Sequence, residues 1–410
     1  MAESAQSLDQ GDTLALLRDE FLMPEGVIYL DGNSLGPLTR ASKVAVDRVV
    51  SEQWGVDLIA SWNRHGWIDL PERVGEKIAP LIGAAPGQVL CVDSISINLF
   101  KLLSAALAMR PGRSTILLME NDFPTDGYVA EGLASLVGED RCRLKRVPRE
   151  SLADALDEDV AVLMLTQVNY RTGELFPMEE LTRAAHEAGA LVLWDLAHSA
   201  GALPIHLDAC SVDLAVGCGY KYLNGGPGSP AFVYVNKGHQ GAISQPLSGW
   251  LGHRSPFDFS QDYEPATGVL QFQAGTPPII SMACLDAALD VFSETTLELL
   301  RDKSLALTSY FMEQLSAIET LRELQVLTPL DAVRRGSQVS VAHPQAWGIS
   351  QALIDAGIIV DFRAPDIVRF GFAPLYNSFG DALAALEELV SILEERRYED
   401  PRYQQRPKVT

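Results

Sequence analysis

Nothing in this 410-residue chain offers a disulfide framework or a metal site. It has five cysteines, Cys91, Cys142, Cys210, Cys218 and Cys284, an odd number with no CxxC pair. Buried, reduced thiols in a cytoplasmic protein are the expectation. Seven histidines are scattered without an HxxxH or Cys/His cluster, so no metal is expected. No uncharged apolar run reaches the ~18 residues of a membrane span. The N-terminus, MAESAQSLDQGDTLALL, has no basic region followed by an apolar one, so no secretory leader is expected. Basic residues are scarce: 32 against 54 acidic ones, a net charge of −22. That balance repels phosphate backbones and anionic bilayers, so neither nucleic acid nor a membrane surface is an expected partner. A local basic pocket for a small anion remains open. The nucleotide loops GxGxxG and GxxxxGKS/T are absent, as is the GxSxG elbow of hydrolases.

What is present suits an ordinary soluble globular protein. Hydrophobic residues make up 47% of the chain and charged residues 21%, and the length allows two domains. Apolar, β-rich runs recur at 89–93, 115–120, 142–147, 161–168, 190–196, 214–219 and 231–235. Helical patterns lie between several of them, at 97–109, 125–137 and 178–188. Continuous apolar strands alternating with amphipathic helices predict an α/β fold with a mainly parallel seven-stranded sheet. After an irregular stretch at 237–278 come helices near 279–295 and 299–317. A smaller α+β unit follows, with strands near 323–327, 337–343, 358–363 and 367–372 and helices near 348–356 and 380–396. The expected division is an N-terminal arm with part of the small domain (1–60), a large domain (61–295) and a small C-terminal domain (296–410). Residues 41–56 read as a helix and the last fifteen residues as a loose tail.

Two stretches carry the most chemistry. LVLWDLAHSAG (191–201) ends a strand with Asp195 and, three residues on, His198. LAVGCGYKYLNGGPG (214–228) ends the next strand with Tyr220, Lys221 and a glycine-rich turn. In parallel sheets ligands bind beyond the C-terminal strand ends. A lysine amine there can condense with the aldehyde of pyridoxal phosphate, and a carboxylate can keep the pyridine nitrogen protonated. In SISIN (94–98), Ser94 and Ser96 are helix-cap candidates whose free N–H groups also suit a phosphate. QAGTPP (273–278) is a second candidate phosphate turn, or simply a turn before a helix. Phe123 in NDFPTDGY (121–128) follows a strand and can cover a ring or fill the core. Asp126 in the same loop caps the next helix or bonds a ligand. Arg369, in DIVRFGFAPLYNS (366–378), is either an edge residue or a bidentate carboxylate clamp.

Taken together, DGNSLG (31–36), NDFPTD (121–126), DLAH (195–198), YKYLNGGPG (220–228), SGWLGHR (248–254), GTPP (275–278) and RFGFAPLYNS (369–378) resemble the kynureninase family. These enzymes are pyridoxal phosphate-dependent hydrolases of the aspartate-aminotransferase fold type I. The resemblance runs in order from about residue 25 to 395. It implies cytoplasmic homodimers with composite sites, a small amino-acid substrate, and a place in tryptophan catabolism through the kynurenine pathway, which also feeds NAD biosynthesis. The implied reaction cleaves the Cβ–Cγ bond of L-kynurenine, and of 3-hydroxy-L-kynurenine, giving L-alanine and anthranilate or 3-hydroxyanthranilate. A related aminotransferase or lyase of the same fold is the alternative. A desulfurase would need a nucleophilic cysteine near the small domain, and none follows Cys284.

By motif, the resemblance makes Lys221 the cofactor-bearing lysine, Asp195 the partner of the ring nitrogen and Tyr220 a proton relay near the phosphate. It places His198, Phe123, Thr125, Asp126 and Thr166 around the cofactor. Ile95, Ser96 and Tyr220 face its phosphate, joined by Trp250 and Thr276 from the other subunit. Arg369 matches the binder of the substrate carboxylate. Asn33 and Ser34 would line the pocket for the aromatic amine, and His65 is a further candidate there. The chain departs from some members in carrying threonine rather than asparagine in its GTPP turn.

Overall fold

The computed structural model of this chain describes residues 4–403. Thirteen strands are present among them: β1 (Ile28–Tyr29), β2 (Val89–Cys91), β3 (Thr115–Met119), β4 (Arg143–Val147), β5 (Val160–Thr166), β6 (Leu191–Asp195), β7 (Leu214–Cys218), β8 (Ala231–Val235), β9 (Gln325–Val326), β10 (Gln338–Ala342), β11 (Ile358–Ile359), β12 (Asp361–Arg363) and β13 (Ile367–Gly371). The main sheet has seven strands in the order β2-β8-β7-β6-β5-β3-β4. Its β4, β3, β5, β6 and β7 run parallel; β8 runs against them, and the edge strand β2, antiparallel to β8, runs their way again.

The apolar runs explain this sheet. Every residue of β5, β6 and β7 is buried, as strands covered on both faces require. One core, with Val192, Trp194, Ala215 and Phe232, packs on one face. A second, with Leu102, Val162, Leu193 and Val216, packs on the other. Helices Ile95–Met109, Pro124–Val137 and Met178–Glu187 connect the strands. Ser94 caps the first: its Oγ accepts from the Ile97 backbone N–H. Proline starts the second, where its missing N–H costs nothing.

The smaller unit is a four-stranded antiparallel sheet, β12-β13-β10-β9, with helices Leu297–Ala317, Ala346–Asp355 and Phe379–Glu394. Its core gathers Phe311, Phe370 and Leu389 and takes in Ala5 and Leu30 from the N-terminal arm. β1 pairs with β11 in parallel, so the arm up to Leu30 belongs to this unit. From Arg40 onward the chain turns to the large unit: the Ser42 hydroxyl donates to the Cys284 carbonyl.

Two expectations need correction. The helix foreseen at 41–56 is α-helical only over Arg40–Arg48 and continues as a wider π-helical stretch, Val49–Asp57. Gly55 fits there because a β-carbon would come within 2.9 Å of the Val50 carbonyl oxygen. The tail is packed, not loose, as far as Tyr403. Tyr398 and Tyr403 are buried, and the Tyr403 hydroxyl donates to Asp355. Residues 404–410 lie outside the described ones.

Candidate active site

The site forms where β5, β6 and β7 end. Thr166 and Asp195 are register partners at the last positions of β5 and β6. Lys221 follows β7 by three residues. A cavity of about 290 Å³ opens at these ends, lined among others by Ile95, Ser96, Phe123, Thr125, Thr166, Asp195, His198, Tyr220 and Lys221. Three left-handed non-glycine residues shape its rim: Asp93 (φ +49°), Asn121 (φ +61°) and Asn224 (φ +58°). Such backbones are costly and cluster at functional sites. Each sits at the corner that delivers a lining loop. The DGNSLG loop braces the lysine turn from behind. The Gly36 N–H donates to the Tyr220 carbonyl at 2.7 Å, and a β-carbon on Gly36 would lie 2.5 Å from the Lys221 carbonyl oxygen.

Asp195 is buried at the cavity wall and accepts from the Ala197 N–H at 2.8 Å. Burial raises its carboxyl, opposed by Lys221, by that N–H and by a hydrogen bond with Asp126. Asp126 is also buried, outside the cavity lining, and meets Asp195 carboxyl to carboxyl. Burial, then the charges of Asp195 and Asp122, push it well up. Asp126 is therefore not a helix cap: the helix Pro124–Val137 starts without a side-chain cap. Lys221 Nζ lies 3.0 Å from His198 Nε2. Burial and the neighbouring Lys221 hold the His198 ring well below its usual range, so it is neutral. Its Nδ1 is buried without a partner. The Tyr220 hydroxyl is pushed up by Cys218, burial and Asp195, so it keeps its proton. Phe123 is partly exposed. Its ring centroid is 6.0 Å from Lys221 Nζ and 5.2 Å from the Tyr170 ring, edge-on.

These features fit pyridoxal phosphate. Two adjacent buried carboxyls want a cationic ring nitrogen, an amine stands opposite, and a capped helix N-terminus offers N–H groups to a phosphate. Buried polar atoms without partners in the cavity lining, His198 Nδ1 and the Ser229 hydroxyl, are uncommon in finished interiors and suit a ligand position.

Arg369 stands beside this cavity but does not line it. It is fully buried and spent on internal partners. Nη2 pairs with Asp361 in a very short contact and donates to Ser34 Oγ at 3.0 Å, while Nη1 donates to the Tyr170 carbonyl at 2.6 Å. Asp361 also accepts from Arg363 at 2.6 Å and from Ser34 Oγ at 2.9 Å. Only Arg369 Nε is without a partner.

Three expected residues lie outside the cavity lining. Ser34 is bonded to Arg369 and Asp361. Asn33 is fully buried behind it, with Nδ2 donating to Gln338 Oε1 at 3.1 Å and its Oδ1 pressed on Gly371. His65 does not line the cavity, because its ring is held by Asp57 at 2.7 Å in the segment after Val49–Asp57. Trp250 and Thr276 are exposed on adjoining loops outside the cavity, and Trp250 packs edge-on against Phe257. Sequence reasoning missed Tyr170, Cys218 and Ser229 in the lining, and Asp361. The signal for Asp361 was the alternation Asp-x-Arg in VDFR, which puts a carboxylate and an arginine on one strand face next to Arg369.

Comparison with known proteins agrees with this geometry. Solved structures with the same fold include a cysteine desulfurase from Thermococcus onnurineus NA1 (TM-score 0.78, 19% identity, covering 92% of this chain and 98% of that one). Another is the Escherichia coli desulfurase CsdA (TM-score 0.76, 19% identity, 94% and 98%). They define the class, an α/β fold of the type I kind. Relatives named kynureninase from Burkholderia pseudomallei (strain K96243) and Pseudomonas fluorescens narrow it. The first is 49% identical over 100% of this chain and 99% of its own length, the second 48% over 98% of each. A family model of the kynureninase C-terminal domain matches residues 300–389. The chain belongs to the kynureninase family.

Proposed function

We propose that this chain is a pyridoxal phosphate-dependent hydrolase that cleaves the Cβ–Cγ bond of L-kynurenine, or its 3-hydroxy form, within tryptophan catabolism. Water is consumed; anthranilate, or its 3-hydroxy form, and L-alanine are released. The observation that carries this reading is the placement of Lys221 and the buried Asp195 in one cavity, with Asp126 bonded behind Asp195, in a chain that matches 99% of a kynureninase relative's length.

When bound, pyridoxal phosphate supplies an aldehyde that condenses with amines and a protonated ring that accepts the electron pair left by a broken Cα–H bond. The chain's own residues do the rest. Lys221 would hold the cofactor and serve as the base toward the substrate's α-proton. Asp195, backed by Asp126, would keep the ring nitrogen protonated. Phe123 and Thr166 would pack beside the ring. Neutral His198, 3.0 Å from the lysine, keeps a second cation away from it. Ile95, Ser96, Thr125 and Tyr220 would hold the phosphate and its surroundings. Tyr220, with its proton retained, relays it during cleavage. Arg369 binds the substrate carboxylate with Nε, its unpartnered donor, or by exchanging partners with Asp361.

The working unit in this reading is a homodimer. Trp250 and Thr276 are exposed and outside the cavity of their own chain, which supports their serving the partner's phosphate. No described helix is long and apolar enough to cross a membrane, and all five thiols are free, which supports a cytoplasmic setting. The test is an absorption spectrum followed by addition of L-kynurenine. A visible cofactor band with release of fluorescent anthranilate is expected. A band with no anthranilate but with keto-acid-dependent turnover would replace hydrolysis with transamination.

A further inference from the structure

Lys101 is a fully buried lysine outside the cavity. It sits on the helix Ile95–Met109, whose first turn faces the phosphate position. An ammonium without water is tolerated only when it is paired and hydrogen-bonded. Lys101 Nζ makes two contacts of 2.5 Å, one to Asp93 Oδ2 and one to the Phe272 carbonyl. These two partners lead in different directions.

Asp93 is the left-handed residue just before Ser94, Ile95 and Ser96. Its carbonyl accepts from the Ala231 N–H at 2.8 Å, so the residue is gripped through both backbone and side chain. That grip fixes where the phosphate-facing loop leaves β2. Phe272 ends a short helical turn, Gly268–Phe272, and leads directly into Gln273–Thr276. The neighbouring segment is tied to the same root. Gln245 Nε2 donates to the Gln271 and Leu247 carbonyls, both at 3.0 Å, and Gln245 Oε1 accepts from the Leu247 N–H at 2.7 Å. Gly249 lies so close to Ala274 that a β-carbon would sit 1.8 Å from its carbonyl oxygen. The loops bearing Trp250 and Thr276 therefore form one layered unit, and the Lys101 ammonium is bonded at its base.

We propose that Lys101 is a positioning residue for two active sites at once: it sets the phosphate loop of its own site and the Trp250–Thr276 unit offered to the partner's site. The proposal rests on the composite dimer described above. One buried cation thus links phosphate binding in the two halves, through hydrogen bonds whose geometry neither loop can relax alone.

Mixed dimers test this. One chain carries Lys221→Ala, so only the other chain's lysine works. With Lys101→Met added to the Lys221→Ala chain, the working site keeps its own loop but receives a loosened unit from its partner. Its Kd for pyridoxal phosphate is expected to rise about tenfold, while its Kd for phosphate-free pyridoxal stays within twofold. A purely structural role would lower melting temperature without separating the two ligands. Lys101→Met on the working chain is expected to give a similar loss. Asp93→Asn, at a half-exposed carboxylate, should weaken only the site of its own chain. Should Lys101→Met dimers fail to assemble, Lys101→Gln, which keeps a donor but not the charge, is read the same way. If Lys101 variants weaken phosphate binding only in the chain that carries them, the proposal is overturned. A separate control protects the dimer reading. Trp250→Ala on the Lys221→Ala chain must weaken the working site, and if it does not, the composite site itself has failed.

Discussion

Two charged clusters lie side by side in this molecule, and they are finished to different degrees. Around Arg369 most of the charge is paired: Asp361 bridges Arg369 and Arg363, and Ser34 closes the ring, leaving Arg369 Nε and Asp31 Oδ1 over. Around Lys221, Asp195 and Asp126 meet carboxyl to carboxyl beside one amine, and His198 Nδ1 and the Ser229 hydroxyl have no partner. The first cluster is held mainly by its own contacts. The second is held by the rest of the fold and, in the proposed reading, is completed by a cationic ring. Stability and function should therefore respond in opposite ways when each cluster is cut.

The largest effect is expected at Lys221. In the proposed reading Lys221→Ala removes both the cofactor anchor and the base, so kcat should fall at least as far as the upper end of the ~10²–10⁴-fold typical of a lost general base. Steady-state anthranilate release measures it, and near-normal turnover would end the lysine assignment. Asp195→Asn should also abolish most turnover and weaken cofactor retention. In the cofactor-free protein, however, it removes a buried, under-compensated charge, so the melting temperature should stay level or rise. Such an exchange of stability for activity is typical of functional sites. Asp361→Asn should do the reverse to stability. It strands the buried Arg369 and takes a partner from the part-exposed Arg363, and breaking a buried pair typically costs about 3–5 kcal/mol. If Asp195→Asn proved the more destabilising of the two, the contrast between the clusters would be wrong.

Next in size is Arg369→Ala. Stranding a buried carboxylate usually costs about 2–5 kcal/mol. As a binding effect, that is roughly a 30-fold to several-thousand-fold rise in KM. Substrate analogues without the carboxylate should lose far less. An unchanged KM would leave Arg369 as a structural partner of Asp361 and nothing more.

Much of this could be read from the chain, and the limits have physical causes. The continuous apolar runs of β5, β6 and β7 located the sheet, and Asp195 and Lys221 followed as strand-end residues. Boundaries of the helix after Arg40 slipped because residues 49–57 hold no proline and a single glycine, so no local breaker marks where the α-helix gives way. The tail looked polar because tyrosines carry their apolar rings under a polar name. Asp361 stayed hidden because its importance lies in the register: it sits directly opposite Arg369 on the neighbouring antiparallel strand. The Asp-x-Arg alternation puts a carboxylate and an arginine on one strand face, but no one-dimensional spacing says that Arg369 lies across from them. Asn33 was recognisable as special, yet its role in packing on Gly371 depends on a contact 338 residues away.

A smaller effect concerns pH. Burial pushes the Asp122 carboxyl up to about 7, and burial with Asp361 does the same to Asp31. Both groups are ordinary acids in the unfolded chain, so the folded protein holds extra protons in between. Stability from this source is complete below about pH 4 and is lost as pH rises through about 7. Urea unfolding of the cofactor-free protein at pH 5 and pH 8 should show the loss. Asp122→Asn should flatten part of it, because its amide no longer ionises. An identical slope in the variant would show that Asp122 is not held as an acid by burial.

The smallest effect is predicted at His65, and it separates the clusters from their surroundings. Its ring is tied to Asp57, which also pairs with Arg64, in a hairpin whose other anchor is Trp67 Nε1 donating to Gln53 Oε1 at 2.7 Å. Those contacts account for the histidine without any substrate. His65→Ala should leave kcat and KM within twofold and loosen only this hairpin, seen as faster amide exchange across residues 57–67. A tenfold rise in KM would mean that His65 reaches a substrate after all. Since it does not line the cavity of its own chain, that substrate would have to be in the partner's site, and the boundary of the functional region would extend across the dimer.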